Sequence, residues 1–325
     1  MGYRAVVVEE FGGPEVLKVK TVEERALSDN EVLVNVKAVG INPVDTYIRN
    51  GTYARKPELP YTPGTDAAGI VDKVGSSVTN WKEGDRVYIS GSLTGSYAEK
   101  TICTESQVLL LPDSVSFEQG AAIYVPYATA YASLFHRANV RPGETVLVHG
   151  ASGGVGIAAV QIAKAHGMTV YGTASSKEGL EIIEKYGGIA FNHREVDYQD
   201  KILAATNGNG VNVILEMLSN VNLANDISNL IGRRGRIIII GCRGNIEINP
   251  RGLMGKTASV IGMALASCSQ EEFDELFPAI QAGLENGTLS PVISPFSFTF
   301  DEASESHKHI IDRPAGTIGK VILKP

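Results

Sequence analysis

The first third of the chain alternates short apolar and polar stretches in a way that is typical of β-strands. Residues 31–37 alternate polar and apolar side chains, as a half-buried strand should. Residues 12–14 read Gly-Gly-Pro and predict a turn between two apolar segments. The other predicted strands are Ala5–Glu10, Leu17–Thr21, Ala67–Val74, Asp85–Ser90, Tyr97–Cys103 and Val108–Leu111. Short strands separated by glycine-containing turns predict a compact β-barrel-like domain.

The pattern changes near residue 125, where buried-type strands begin to alternate with helices. The predicted strands are Glu144–His149, Met168–Thr173, Ile189–Asn192, Val211–Glu216, Arg236–Ile240 and Ser259–Ala264. The predicted helices are Val155–His166, Glu178–Tyr186, Gln199–Thr206 and Asn220–Ile231. Strands that alternate with crossover helices predict a parallel, doubly wound α/β sheet.

The last part of the chain returns to mixed structure. Apolar side chains between Phe273 and Leu284 recur at helical spacing, and Pro278 is expected to kink the helix that they predict. Lys320–Lys324 predicts a short closing strand.

Composition narrows the class of protein. A length of 325 residues predicts about two domains. The 36 acidic and 29 basic residues give a net charge of −7, which weighs against a dedicated nucleic-acid binder. Three dispersed cysteines favour a reducing compartment over a disulfide framework. The chain opens on no signal-peptide pattern, and its longest uncharged stretch, residues 119–135, is too short to span a bilayer. We therefore expect a soluble, cytoplasmic protein.

Residues 149–156, His-Gly-Ala-Ser-Gly-Gly-Val-Gly, lie directly between a predicted strand and a predicted helix. Glycines at that place permit a tight turn and close approach of the backbone to a pyrophosphate at the helix N-terminus. The spacing departs from Gly-x-Gly-x-x-Gly, and a glycine-rich turn can serve packing alone. The strand–loop–helix context favours dinucleotide binding.

The end of the next strand indicates which dinucleotide is bound. An NAD site usually carries an acidic residue there, whereas residues 172–177 read Gly-Thr-Ala-Ser-Ser-Lys. Two hydroxyls and an ammonium suit a 2′-phosphate, which favours NADPH. The alternative is that Ser175 and Ser176 only cap the following helix and that Lys177 is solvated.

Several stretches resemble the zeta-crystallin-like NADPH:quinone oxidoreductases, a zinc-free branch of the medium-chain dehydrogenases/reductases. Residues 143–164 match the quinone oxidoreductase signature, and the similarity runs from Arg4 to Leu323. The other matching stretches are Asn42–Arg49, Tyr61–Gly69, Phe191–Arg194 and Glu247–Pro250.

The resemblance implies a Rossmann domain, residues 128–265, inserted in a GroES-like catalytic domain formed by residues 1–127 and 266–325, with the cofactor in the cleft. Cys242 is expected to pack beside a backbone contact rather than to do redox chemistry. The cofactor contacts that the resemblance implies are Tyr47, Thr129, Ser152, Gly153, Gly154, Val155, Ser175, Lys177, His193, Asn222, Gly241, Cys242, Arg243, Met263, Ala264 and Leu265.

The same resemblance argues against a metal. Relatives that are zinc alcohol dehydrogenases place a Cys and a His where this chain has Asn42 and Thr65, and the cysteines of their structural zinc lobe are missing here. The six histidines show no metal-ligand spacing, and His307 and His309 are expected on an exposed helix.

The leading hypothesis is an NADPH:quinone reductase in which orientation of the cofactor supplies much of the rate. Asn42, Tyr47 and Tyr53 are the candidates to hydrogen-bond a substrate carbonyl, and Tyr53 is also a candidate proton donor, although it suits an ordinary loop position equally well. The alternatives are an NADPH-dependent reductase of enones or enals, or a crystallin or RNA-binding role of the same fold. The apolar run 259–266 at the last Rossmann strand, where the family joins subunits, leads us to expect a homodimer or homotetramer.

Overall fold

The computed structural model describes residues 2–313, 316 and 318–325. Its strands are β1 Gly2–Val7, β2 Lys18–Glu23, β3 Glu31–Gly40, β4 Asp66–Val74, β5 Arg86–Ser90, β6 Lys100–Thr104, β7 Val108–Leu110, β8 Thr145–Val148, β9 Thr169–Ala174, β10 Ile189–Asn192, β11 Val211–Glu216, β12 Ile231–Ile239, β13 Ser259–Gly262, β14 Ile293–Thr299 and β15 Lys320–Lys324. Its α-helices are α1 Pro43–Arg49, α2 Phe117–Gly120, α3 Thr129–Tyr131, α4 Gly154–Ala165, α5 Lys177–Lys185, α6 Tyr198–Ala205, α7 Ser219–Asn225, α8 Pro250–Lys256, α9 Gln270–Glu285 and α10 Ala303–Asp312. Among these described helices, none combines the length and the apolar character that crossing a membrane requires.

The chain divides into two compact units. The first comprises residues 2–125, 291–313 and 319–325, and the second comprises residues 126–290 with 316 and 318. The second unit thus includes α9, which lies beyond the domain boundary expected at residue 265. Hydrogen bonds hold this region to the second unit, because Arg137 binds Glu272 and Gln161 binds the carbonyl of Ser290.

The first unit is built on a seven-stranded sheet with the order β14-β15-β3-β4-β5-β7, to which β6 adds by pairing with β3. The C-terminal strand β15 lies between β14 and β3, so the sheet takes strands from both ends of the chain. Its core is apolar and includes Val34, Ile89 and Phe300, each at most 1% exposed. The pair β1-β2 forms a separate antiparallel hairpin, as the turn at residues 12–14 predicted.

The second unit contains a six-stranded parallel sheet with the order β10-β9-β8-β11-β12-β13. Its central strands are nearly continuous runs of apolar residues, as strands covered on both faces require. Leu147, Ile214 and Ile237 are fully buried in this core. The predicted fold class, a doubly wound α/β unit and a GroES-like β-rich unit, is confirmed.

Some helical structure was not predicted from the pattern. Residues 117–137 form α2, α3 and two π-helical turns, Tyr124–Ala128 and Ala132–Arg137. The predicted helix 220–231 is divided into α7 and a π-helical turn, Asp226–Leu230. Helix α9 continues through Pro278 as one element.

The expected exposure of His307 was wrong. The helix α10 exists, but His307 is completely buried on the face that also carries Ala303 and Ile310. The spacing of these residues along α10 places them on one side of the helix, which packs into the first unit.

Candidate active site

In the second unit, the residues expected to bind the cofactor follow the carboxyl ends of neighbouring parallel strands. This edge of a doubly wound sheet is where such folds bind nucleotides. The glycine loop follows β8, Ser175 follows β9, His193 follows β10, Asn222 follows β11, Gly241 follows β12 and Met263 follows β13.

The glycine loop after β8 requires its glycines. Gly150 has a φ of +62°, a backbone conformation that residues other than glycine rarely adopt. A Cβ at Gly156 would lie 2.3 Å from the carbonyl oxygen of Gly150, so the helix can pack against the loop only without a side chain there.

Helix α4 begins at Gly154 without a capping side chain among the described residues. The first amides of such a helix are unsatisfied donors, and Gly154 and Val155 contribute two of them. An anionic group seated there would be stabilised by these donors and by the helix dipole. The loop Ser152 to Val155 therefore fits a dinucleotide pyrophosphate.

The residues expected to read the 2′-phosphate lie at the ends of β9 and β10. The backbone N–H of His193 donates to the carbonyl of Ala174 at 3.1 Å, which brings these two strand ends together. Ser176 caps α5 by accepting from Gly179 N–H, so one of the two serines has the capping role that we considered. The Lys177 side chain is 84% exposed, and its Nζ lies 3.6 Å from Glu181.

The remaining expected contacts line the ends of β11, β12 and β13. Asn222 donates from its side-chain amide to Glu216 Oε1 at 3.2 Å. The backbone N–H of Arg243 donates to Asn220 Oδ1 at 2.8 Å, and Cys242 is exposed. Met263 is buried, and its backbone N–H donates to the carbonyl of Ile239.

The other expected contacts in this unit are Gly241, Ala264 and Leu265, which lie next to these residues along the chain. Thr129 is buried in α3, within the same unit.

The first unit holds the three candidate catalytic residues on α1 and the loop after it. Asn42 precedes α1, and Tyr47 lies in its middle with its side chain half-buried. The backbone N–H of Tyr53 donates to the carbonyl of Tyr47 at 3.1 Å, so the two tyrosines are held close together. Both tyrosine side chains retain exposed surface, whereas Asn42 is only 3% exposed.

A buried polar cluster engages the Asn42 amide. Its Nδ2 donates to Asp66 Oδ2 at 3.0 Å, while Lys320 Nζ donates to Asn42 Oδ1 at 2.5 Å and to Asp66 Oδ2 at 2.7 Å. All three side chains are at most 4% exposed. The amide is therefore oriented by a carboxylate on one side and an ammonium on the other.

This arrangement does not fit the catalytic zinc of the alcohol dehydrogenases. An amide and a hydroxyl, Asn42 and Thr65, replace the thiolate and imidazole that zinc prefers. The Lys320 ammonium already lies against Asn42, so a dication there would face a buried positive charge.

A second network in the first unit was not predicted. The Arg49 guanidinium donates to His307 Nδ1 at 3.3 Å, His307 Nε2–H donates to Tyr97 at 3.1 Å, and Tyr97 donates to Asp45 at 3.1 Å. Burial lowers the pKa of His307 to about 3, so the ring is neutral and its Nδ1 accepts from Arg49. Burial raises the pKa of Asp45, at the start of α1, to about 7. No spacing in the sequence signals these contacts, because their partners come from distant segments.

Two family models match the chain. The model for zinc-binding dehydrogenases matches residues 154–282, and the model for the GroES-like domain of alcohol dehydrogenases matches residues 28–113. The first covers most of the second unit, and the second covers most of the strands of the first unit.

Named relatives are similar along nearly the whole chain. The human quinone oxidoreductase is 50% identical over 98% of this chain and 97% of its own length. The pig quinone oxidoreductase (Sus scrofa) is 52% identical over the same shares of the two chains. Among solved structures, the Escherichia coli quinone oxidoreductase in complex with NADPH has a TM-score of 0.87 and 32% identity, and the match covers 99% of this chain and 100% of that one.

Proposed function

Because the chain belongs to the quinone oxidoreductase family of the medium-chain dehydrogenases/reductases, we propose that it is an NADPH:quinone oxidoreductase that works without a metal. The observation that carries this proposal is sequence identity: about half of the residues are identical to those of named quinone oxidoreductases over nearly the full length. The family uses a nicotinamide dinucleotide, and the glycine loop with its uncapped helix N-terminus suits one. The choice of NADPH rests on the missing carboxylate after β9 and on Ser175, Lys177 and His193.

NADPH, when bound, supplies a hydride to the substrate. The residues of this chain bind and orient the two reactants. Asn42, whose amide is engaged by Asp66 and Lys320, holds the start of α1 in place. Tyr47 and Tyr53 have the role expected from the sequence, in which their hydroxyl groups donate hydrogen bonds to a substrate carbonyl. A quinone suits this modest acid–base equipment, because its reduced oxygens are weakly basic and take protons from water.

A screen of NADPH oxidation across ortho-quinones, para-quinones and enones tests the proposal directly. We expect turnover with one or both quinone classes and little with enones. Faster turnover of enones or enals than of any quinone would instead identify a reductase of activated double bonds. Tyr53→Phe should lower quinone turnover, whereas Tyr186→Phe, in the second unit after α5, should leave it unchanged.

We also propose that the enzyme is a homo-oligomer, a dimer or tetramer, assembled through β13. This strand is an edge of the parallel sheet, and Val260 and Ile261 are only partly buried there. An apolar edge strand invites pairing with another strand.

A further inference from the structure

A cluster of three ionisable side chains lies inside the second unit, next to the glycine loop. His149 follows β8 and directly precedes Gly150, and Glu216 is the last residue of the neighbouring strand β11. Asp226 begins the helical turn after α7. The exposed fractions are 4% for His149 and 0% for both acids.

The contacts leave two carboxylate oxygens unsatisfied. His149 Nε2 lies 2.9 Å from Asp226 Oδ1 and 3.6 Å from Glu216 Oε2. Glu216 Oε1 accepts from the backbone N–H of Leu218 at 2.5 Å and from Asn222 at 3.2 Å. Neither Glu216 Oε2 nor Asp226 Oδ2 has a hydrogen-bond partner within the described part of the chain. Two buried acceptors without donors are costly, and two buried carboxylates also repel each other.

We infer that Glu216 and Asp226 share one proton. This protonated pair, together with His149, holds in place the neighbouring residues that we assign to the dinucleotide site. The side chains of Glu216 and Asp226 lie within hydrogen-bonding reach of each other, so one proton between the two carboxyl groups removes their repulsion and supplies the donor that the cluster lacks. It also makes the cluster neutral, because one imidazolium then faces one negative charge. Ligand atoms of the three residues lie within 4.8 Å of one another, so a divalent cation is the competing occupant. The proton is favoured because the His149 Nε2–H already donates to Asp226, which leaves that nitrogen no lone pair for a metal.

The cluster touches residues that the proposed function uses, and the inference rests on that function. Glu216 holds Asn222 and the amide of Leu218 in place, and the Gly150 N–H donates to Thr173 Oγ1, which lies 3.5 Å from His149 Nδ1. Loss of the shared proton leaves a buried negative charge beside the loop that we assign to the pyrophosphate. Dinucleotide binding should therefore weaken as pH rises.

The environment puts this change near neutral pH. Burial raises the pKa of Glu216 to about 7, with His149 opposing and Asp226 reinforcing the rise. Among the described residues, His193 is also near the cluster, and its pKa is lowered by desolvation and by the charges of His149 and Arg194. This lowering moves the pKa of His193 away from that of Glu216.

The test is the pH dependence of cofactor affinity in Glu216→Gln. The glutamine oxygen can accept from Leu218 and Asn222 while its NH2 donates to the Asp226 carboxylate, so the variant mimics the protonated state. In the unaltered protein, the Kd values of both NADPH and NADH, measured by fluorescence titration, should rise about tenfold between pH 6 and 8.5. In Glu216→Gln the Kd should stay constant over this range. Glu184→Gln, which removes an exposed acidic charge from α5, should keep the slope.

A second measurement needs neither cofactor nor turnover. Infrared spectra of the cofactor-free protein should show protonated carboxyl groups at pH 6 that ionise by pH 8.5. One of these signals should be missing in Glu216→Gln. The signal of the buried Asp45, whose pKa is also raised to about 7, should remain and is identified by its loss in Asp45→Asn. An unchanged Kd slope in Glu216→Gln, an infrared spectrum that this substitution leaves unchanged, or stoichiometric metal bound to the cluster would overturn the inference. A protein that shows the infrared signal but turns over no quinone would refute the proposed function and leave the shared proton in place.

Discussion

At the scale of single residues, Lys177 is the group whose charge should most affect the choice between the two dinucleotides. A charge-assisted hydrogen bond to a phosphate is worth about 1.5–3 kcal/mol, but the side chain is largely solvated and faces Glu181, so the lower part of that range applies. Lys177→Glu should therefore weaken NADPH binding about tenfold. NADH affinity should change much less. Fluorescence titration of both cofactors at low ionic strength measures the two effects.

The matched control is Lys185→Glu at the other end of α5, which makes the same charge change away from the strand ends. It should leave the ratio of the two affinities unchanged. Raised salt should reduce the preference for NADPH in the unaltered protein, because the contact is near the surface. Equal weakening of both cofactors by Lys177→Glu would mean that the residue supports the local structure and does not read the phosphate.

The cluster of Asn42, Asp66 and Lys320 predicts that catalysis does not depend on a metal. The Lys320 ammonium already neutralises the Asp66 carboxylate, so no uncompensated negative charge in this cluster would attract a divalent cation. Prolonged dialysis against a strong chelator should leave the rate of NADPH oxidation by a quinone unchanged. A zinc alcohol dehydrogenase treated in parallel should lose activity. Stoichiometric zinc in the purified active protein, or a rate that chelation abolishes and zinc restores, would contradict the prediction.

At the scale of elements, the two edge strands of the parallel sheet offer a direct test of assembly. If subunits join through β13, Ile261→Lys places a charge in the interface and should shift the oligomer towards smaller species in light scattering at micromolar concentration. Ile189→Lys is the matched change on β10, the opposite edge, where Ile189 is 46% exposed. It should leave the molar mass unchanged. A monomeric unaltered protein would exclude assembly of this kind.

The sequence predicted some elements better than others for physical reasons. The strands β8 and β11 are short apolar runs beside glycine or helical segments, so period and length identify them. Residues 124–137 contain Pro126, and their polar side chains Thr129 and Ser133 are buried. Their π-helical turns leave no regular period to detect. His307 was placed on the correct helix but on the wrong side, because a polar ring was taken to favour solvent.

At the scale of the whole molecule, the candidate cofactor positions were predictable but the buried polar networks were not. Glycine loops and strand ends are local features, so their positions can be read from neighbouring residues. The network joining Arg49 to His307 links segments that are 258 residues apart. His149, Glu216 and Asp226 are likewise brought together only when β8 and β11 pair. Each of these side chains looks ordinary in the sequence, and its partner is set by the fold.

These buried charges predict how stability depends on pH. Burial alone would lower the pKa of His149, but the charge and hydrogen bond of Asp226 and the charge of Glu216 outweigh it and raise the value to about 9. In the unfolded chain the ring titrates near 6.5. The folded state therefore holds an extra proton between these values, so the stabilisation is complete below about pH 6.5 and is lost as pH rises to 9. The free energy of unfolding by urea should fall by about 2–3 kcal/mol from pH 7 to pH 9.

The triple variant His149→Gln/Glu216→Gln/Asp226→Asn isolates this contribution, because it replaces all three buried ionisable groups with neutral side chains of similar shape. Its free energy of unfolding should vary little between pH 7 and 9, whatever its absolute value. The carboxylates of Glu24, Glu31 and Glu272, whose hydrogen bonds to Lys73, Arg25 and Arg137 lower their pKa values to about 2, stay ionised throughout this range and do not contribute to the slope. An equally steep fall in the triple variant would assign the pH dependence to groups outside the cluster. His149 would then not be the imidazolium that balances the charge of Glu216 and Asp226 when they share one proton.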